Sequence, residues 1–159
     1  MDMKGLVIKA QISRNGKYVI ELTGKCMDPL LKPGDKAEII SCSGLKTGRL
    51  YLFEMEDGNL AVHRLIKKDD NRLIMKGDRT KKYEVITEAE IIGQVEAVKR
   101  NDSDLWCRAE KSALSGYITA LLSRQSMYDK RNTPIRKAVS DICLQLNIWR
   151  SSHRRYSMK

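Results

Sequence analysis

Leu60-Ala61-Val62-His63-Arg64-Leu65-Ile66, then Lys67-Lys68-Asp69-Asp70-Asn71, then Arg72-Leu73-Ile74-Met75, reads as strand, turn and strand. Apolar and β-branched residues fill both flanks, and Asp-Asp-Asn between them bonds its own backbone readily in a turn. Outward from this pair, Leu50-Tyr51-Leu52-Phe53 is a further β-rich run, ended by Glu56-Asp57-Gly58-Asn59. Lys36-Ala37-Glu38-Ile39-Ile40 alternates as another, with Ser41-Cys42-Ser43-Gly44 and Lys46-Thr47-Gly48 as turns after it. Downstream, Lys76-Gly77-Asp78-Arg79 forms a loop, and Ile91-Ile92-Gly93-Gln94-Val95-Glu96-Ala97-Val98 is the last strand. Upstream, Leu6-Val7-Ile8-Lys9-Ala10-Gln11-Ile12 and Tyr18-Val19-Ile20-Glu21-Leu22 read as two strands joined through Asn15-Gly16. Asn-Gly is the strongest short hairpin signal. Short strands at such intervals predict a mainly β fold that opens with a hairpin.

The pattern changes at Asn101-Asp102-Ser103-Asp104, residues suited to capping a helix. Trp106, Ala109, Ala113, Tyr117, Ala120 and Leu121 follow at helical spacing. Thr133-Pro134 opens a second helix, whose apolar stripe is Ile135, Ala138, Val139, Ile142, Leu146 and Trp149. The expected organisation is a β-rich core over residues 1–100 and a basic helical appendage over 101–159. Lys and Arg outnumber Asp and Glu by 30 to 20, and residues 101–159 hold 11 of the former against 5 of the latter. An anionic surface or a partner protein is therefore expected, if anywhere, on the appendage. Nucleic acid is not expected, because no aromatic-interleaved basic groove or reading motif is present.

Four cysteines stand at 26, 42, 107 and 143 and two histidines at 63 and 153, without the paired spacing of a zinc site. Neither a metal nor another cofactor is expected. A disulfide framework does not suit so few cysteines in a chain this long. No run approaches the ~18–20 apolar residues that span a bilayer, so the expectation is a soluble cytoplasmic protein with reduced thiols and no transmembrane segment.

Cys26 is the first candidate for chemistry. It sits in Gly24-Lys25-Cys26-Met27-Asp28-Pro29-Leu30-Leu31-Lys32-Pro33-Gly34-Asp35, a loop whose Gly and Pro residues hold a side chain in place with little freedom. A thiol becomes a nucleophile as its thiolate, and histidine is the usual activator. Of the two histidines, His153 lies in a basic tail, whereas His63 shares a strand face with Ala61 and Leu65. Asp78 stands in the Lys-Gly-Asp turn after a strand.

Taken in order, Gly-x-Cys-Met-x-Pro-x-x-x-x-Gly-Asp, Val-His-Arg-Leu, Met-Lys-Gly-Asp and Ile-Ile-Gly-Gln-Val resemble the signal peptidase I superfamily over residues 17–98. The likeness is to the branch of archaea, spore-formers and the endoplasmic reticulum, which uses a histidine base. The resemblance implies a β-rich catalytic fold shared with the self-cleaving SOS repressor. It implies Cys26 as nucleophile in place of the family's serine, His63 as base, and Asp78 as the acid. Glu84 is the nearest match to a second acid of that branch. Lys76 receives no catalytic role, since the histidine branch also carries a lysine there. Two departures stand out, sulfur for oxygen at position 26 and the missing membrane anchor.

The expected function is a soluble cysteine-type endopeptidase with a Cys-His(-Asp) mechanism, processing a peptide or protein precursor. The alternative is a catalytically inactive peptide-binding module of the same fold, with Cys26 a relic. A binder of nucleic acid or an anionic surface through residues 124–159 ranks third.

Overall fold

The computed structural model describes residues 2–28, 30–101, 103–109, 116 and 118–121. Among the described residues a helix, α1 (Met3–Asn15), is followed by eight strands. These are β1 (Lys17–Glu21), β2 (Lys36–Ile40), β3 (Leu50–Glu54), β4 (Leu60–Asp69), β5 (Arg72–Lys76), β6 (Tyr83–Ile86), β7 (Ile91–Lys99) and β8 (Trp106–Arg108). All pairings are antiparallel, in the order β1-β2-β7-β3-β4-β5-β6, with β8 added to β7. The fold is mainly β, as expected.

β7 joins the two halves of the sheet. Its first residues, Ile91 to Gln94, pair with β3, and its later ones, Gln94 to Lys99, pair with β2. Both ladders carry an irregularity, at Glu38/Ile39 and at Leu52/Phe53, and bulges of this kind increase local twist. The sheet is covered on both faces. Leu50 and Leu52 of β3 join Ile8, Ile12, Ala37, Ile39, Val62 and Val95 on one side. Tyr51 and Phe53, pointing the other way, join Leu65, Leu73, Met75 and Ile86. A strand buried on both faces reads as a continuous apolar run, which is how Leu50-Tyr51-Leu52-Phe53 appears. Each such side chain, moved from water to core, contributes about 1.5–3 kcal/mol.

The N-terminus departs from expectation. The segment read as a strand, Leu6 to Ile12, is α1, and the Asn-Gly hairpin does not form. Gly5, Ile8 and Ile12 are the buried positions, three and four residues apart, which is helical and not strand spacing. Asp2 caps the helix by accepting the Met3 amide at 2.6 Å. Gly16, at φ 76°, ends it in the left-handed conformation, so the dipeptide taken for a hairpin turn is a helix terminus. α1 lies close over β7 at Gly93, where an added Cβ would come within 2.7 Å of Ile39 Cγ2 and 3.3 Å of Ile12 Cδ1.

Beyond residue 100 the sheet continues. Trp106, placed by its spacing at the start of a helix, begins β8 instead, pairing with Lys99. Helical backbone is found at 116 and 118–121. The second helix, expected from Thr133 to Trp149, and the basic tail lie outside the described residues. No helix among the described residues is long and apolar enough to cross a membrane.

Candidate active site

The Cys26 loop leaves the end of β1 and is closed at its base. Leu22 donates its amide to the Asp35 carbonyl at 2.8 Å and accepts from the Gly34 amide at 2.7 Å. The buried Asp35 carboxylate ties this base to the chain beyond β7. It accepts from Arg100 Nη1 at 2.5 Å, from the Asn101 amide at 3.3 Å and from the Lys32 amide at 2.9 Å. Inside the loop, Met27, Leu30 and Leu31 enter the core next to α1, while Cys26 stays half-buried. Apolar anchors on one side of the cysteine thus leave its side chain at the surface of the core.

A second loop, between β5 and β6, backs the first. The Arg79 amide donates to the Cys26 carbonyl at 2.9 Å, and the Asp78 amide points at Met27 Sδ at 3.4 Å. Gly77 presses directly on the cysteine: a Cβ there would lie 2.7 Å from the Cys26 carbonyl oxygen and 3.0 Å from Cys26 Cβ. No side chain larger than hydrogen fits. Arg79 adds an exposed ion pair to Asp28 across the two loops.

His63 comes from the middle of β4, opposite Tyr51 on β3, and its ring lies 5.7 Å from that of Phe53. The histidine is 5 % exposed. Its Nδ1 sits 2.9 Å from Glu84 Oε2, and the Cys26 side chain lies close enough to raise the histidine's pKa. With Nδ1 on the carboxylate, Nε2 is the nitrogen that can exchange a proton with the thiol. Burial disfavours the imidazolium, but the hydrogen bonds and negative charge of Cys26 and Glu84 outweigh it and raise the His63 pKa from 6.5 to about 9. Glu84 itself is on β6, in register with Met75 of β5. β6 has no counterpart among the expected strands, and its four residues are what deliver the carboxylate.

Asp78 is placed elsewhere. Its two oxygens accept from Arg64 Nε at 2.9 Å and Nη2 at 2.8 Å, a bidentate pair in which both side chains are 1 % exposed. Arg64 also donates through Nη1 to the Gly48 carbonyl at 2.5 Å. The structure therefore brings Cys26, His63 and Glu84 together, and commits Asp78 to Arg64, the residue after the histidine. Alternation along β4 explains the division, since His63 and Arg64 face opposite sides of the sheet.

Lys76 is buried at 2 % exposure and donates to the Gly77 carbonyl at 3.2 Å. Desolvation lowers its pKa, against the pull of Asp78 and Glu84. Thr80 bonds the same Gly77 carbonyl through its amide and hydroxyl, at 3.2 and 3.3 Å, so the lysine helps fix the turn that backs Cys26. Among the described residues no group of His, Cys, Asp and Glu is arranged to hold a metal ion. A cleft of about 670 Å³ lies between α1 and the β2–β3 connection and is lined by none of these residues. Three cysteines, Cys26, Cys42 and Cys107, are free thiols. No family model matches the chain, and no curated protein is significantly similar to it.

Proposed function

We propose that this chain is a cysteine endopeptidase with a signal-peptidase-like core, in which Cys26 is the nucleophile, His63 the acid–base and Glu84 the acid that holds the imidazole. The observation that carries the reading is a buried histidine held at Nδ1 by a carboxylate at 2.9 Å, with the loop cysteine close enough to act on its pKa. That is the order of groups by which a nucleophile, a base and an orienting acid perform acyl transfer.

In the proposed reaction His63 Nε2 takes the Cys26 proton, and the thiolate attacks the carbonyl carbon of the scissile peptide bond. A carbon–sulfur bond forms as the carbonyl π electrons move to oxygen. Backbone amides of the Cys26 loop are the donors at hand for that oxyanion. Collapse of the tetrahedral intermediate breaks the carbon–nitrogen bond, and the imidazolium protonates the leaving amine. His63 then accepts a proton from water as its oxygen bonds to the thioester carbon; the carbon–sulfur bond breaks, the acid product leaves, and the imidazolium returns a proton to the Cys26 sulfur. Glu84 keeps Nδ1 protonated and stabilises the imidazolium throughout. Asp78 acts at a distance, by holding Arg64 and the Gly77 turn against the nucleophile loop.

The test is incubation of the protein with a proteome-derived peptide library, with new termini read by mass spectrometry. Cleavage is expected with wild type and abolished in Cys26→Ala and His63→Ala. Cleavage that survives Cys26→Ala overturns the assignment. Peptides retained without cleavage by wild type assign the chain instead to the peptide-binding alternative.

A further inference from the structure

α1 is apolar on two opposite sides. Gly5, Ile8 and Ile12 face the sheet, yet Met3, Leu6 and Val7 are 76 %, 55 % and 49 % exposed. At about 100° per residue, Met3, Leu6, Val7 and Ala10 fall in one sector, centred opposite the buried one. A surface helix ordinarily places its polar residues in that outward sector. Here the outward sector is apolar over its first two turns, with Arg14 on the same side one turn further on and Lys4 and Lys9 toward its two edges. Lys4, Lys9 and Arg14 are the only charges within the helix, and its first turn holds no acid. Lys9 donates to the Ala89 carbonyl, while Lys4 is exposed at the edge of the apolar sector and Arg14 is exposed at its C-terminal end. The neighbouring acids are engaged, Asp2 in capping Met3 and Glu54 in accepting the Asp2 amide at 2.7 and 2.9 Å.

Charge separates the partners such a face could take. A second copy packed two-fold on this helix would set Lys4 and Arg14 against themselves. Residues 122–159 of the same chain carry nine Lys and Arg against two Asp and Glu, so they would meet the basic margin with more positive charge. An anionic bilayer accepts both features, because apolar side chains enter the acyl boundary while flanking cations pair with head groups.

We infer that α1 is an interfacial docking helix, lying flat on anionic phospholipid with Met3, Leu6 and Val7 inserted and Lys4 and Arg14 among the phosphates. This stands independently of the peptidase reading and predicts a protein held reversibly at a membrane surface through α1.

The experiment is co-sedimentation of the full chain with vesicles of phosphatidylcholine alone or mixed with phosphatidylserine. The comparison includes Leu6→Glu/Val7→Glu and Lys4→Gln/Arg14→Gln, four exposed positions whose replacement leaves the core intact, as circular dichroism would verify. Partitioning onto serine-lipid vesicles should exceed that onto phosphatidylcholine by about tenfold or more, and should fall about tenfold in each double variant and with added salt. Absence of binding overturns the inference, as does equal binding to both lipids. Binding unchanged in Leu6→Glu/Val7→Glu also overturns it, by assigning the attachment to another basic part of the chain. A dimer that this variant dissociates in light scattering assigns the face to a second copy.

Discussion

Asp78→Asn and Glu84→Gln, two single-atom changes, should separate the two acids near His63. Asp78 shares a bidentate ion pair with Arg64 in which neither side chain touches water. Neutralising it removes the charge that balances a buried guanidinium, a loss of about 3–5 kcal/mol for a broken buried pair. Glu84 is partly exposed, so its removal weighs less on folding and more on His63. Burial alone pushes the imidazole toward neutrality, and the carboxylate 2.9 Å from Nδ1 is one of two groups that reverse this. Removing a charge and a charge-assisted hydrogen bond should lower the His63 pKa by about one unit or more, equivalent to about 1.4 kcal/mol. Two assays read the pair: urea unfolding for stability, and NMR titration of the His63 ring, which has only His153 for company. Asp78→Asn should unfold early and titrate like wild type as long as it is folded. Glu84→Gln should be nearer wild type in stability and titrate lower. Should Asp78→Asn lower the His63 pKa as far as Glu84→Gln does, the assignment of the acid to β6 is refuted.

Gly77→Ala should destabilise the fold by about 1–3 kcal/mol and slow Cys26 alkylation, because the new methyl would overlap the Cys26 carbonyl oxygen; thermal unfolding and iodoacetamide labelling measure the two effects. His63→Ala should slow labelling of Cys26 at neutral pH by about tenfold relative to Cys42 and Cys107, since an imidazolium promotes a neighbouring thiolate; equal rates would separate the two side chains. A histidine whose pKa rises from 6.5 to about 9 on folding contributes stability that is fully present below pH 6.5 and is lost as the pH passes through 9. That amounts to about 3 kcal/mol. Urea midpoints from pH 6 to 10 should therefore fall further for wild type than for His63→Ala. Taking the difference between the two proteins removes the contribution of Lys76, whose buried amine titrates in the opposite sense.

The strands were legible where burial on one or both faces imposes a short apolar run between turn residues. β3, β4 and β5 coincide with such runs, and β7 ends within a residue of its expected limit. α1 was not legible because its apolar residues fall on two opposite sides of the helix, which masks the 3.6-residue period. Asn15-Gly16 then served two structures equally, since a hairpin turn and a helix terminus both need a residue at positive φ. β6 escaped because two lysines precede it and its outward residues, Tyr83 and Val85, give a four-residue strand little contrast. β8 escaped because three residues cannot display a period, and Trp106 happens to stand at helical spacing from Ala109.

The candidate site divides along the same line. Cys26 and His63 were marked by loop chemistry and by residue type, both local properties of the sequence. Which acid meets the imidazole is not local, because Asp78 and Glu84 are both carboxylates shortly after the same turn. Arg64 decides it. A guanidinium on the opposite face of β4 from His63 captures the first carboxylate with both of its oxygens, and the histidine is left to the second. Position 64 thus decides which carboxylate reaches His63 without touching the thiol, and it does so through strand alternation. An Arg64→Met variant should accordingly release Asp78 as well as remove a buried cation. If Asp78 then approaches Nδ1, the Arg64→Met/Glu84→Gln double variant should titrate His63 above Glu84→Gln alone.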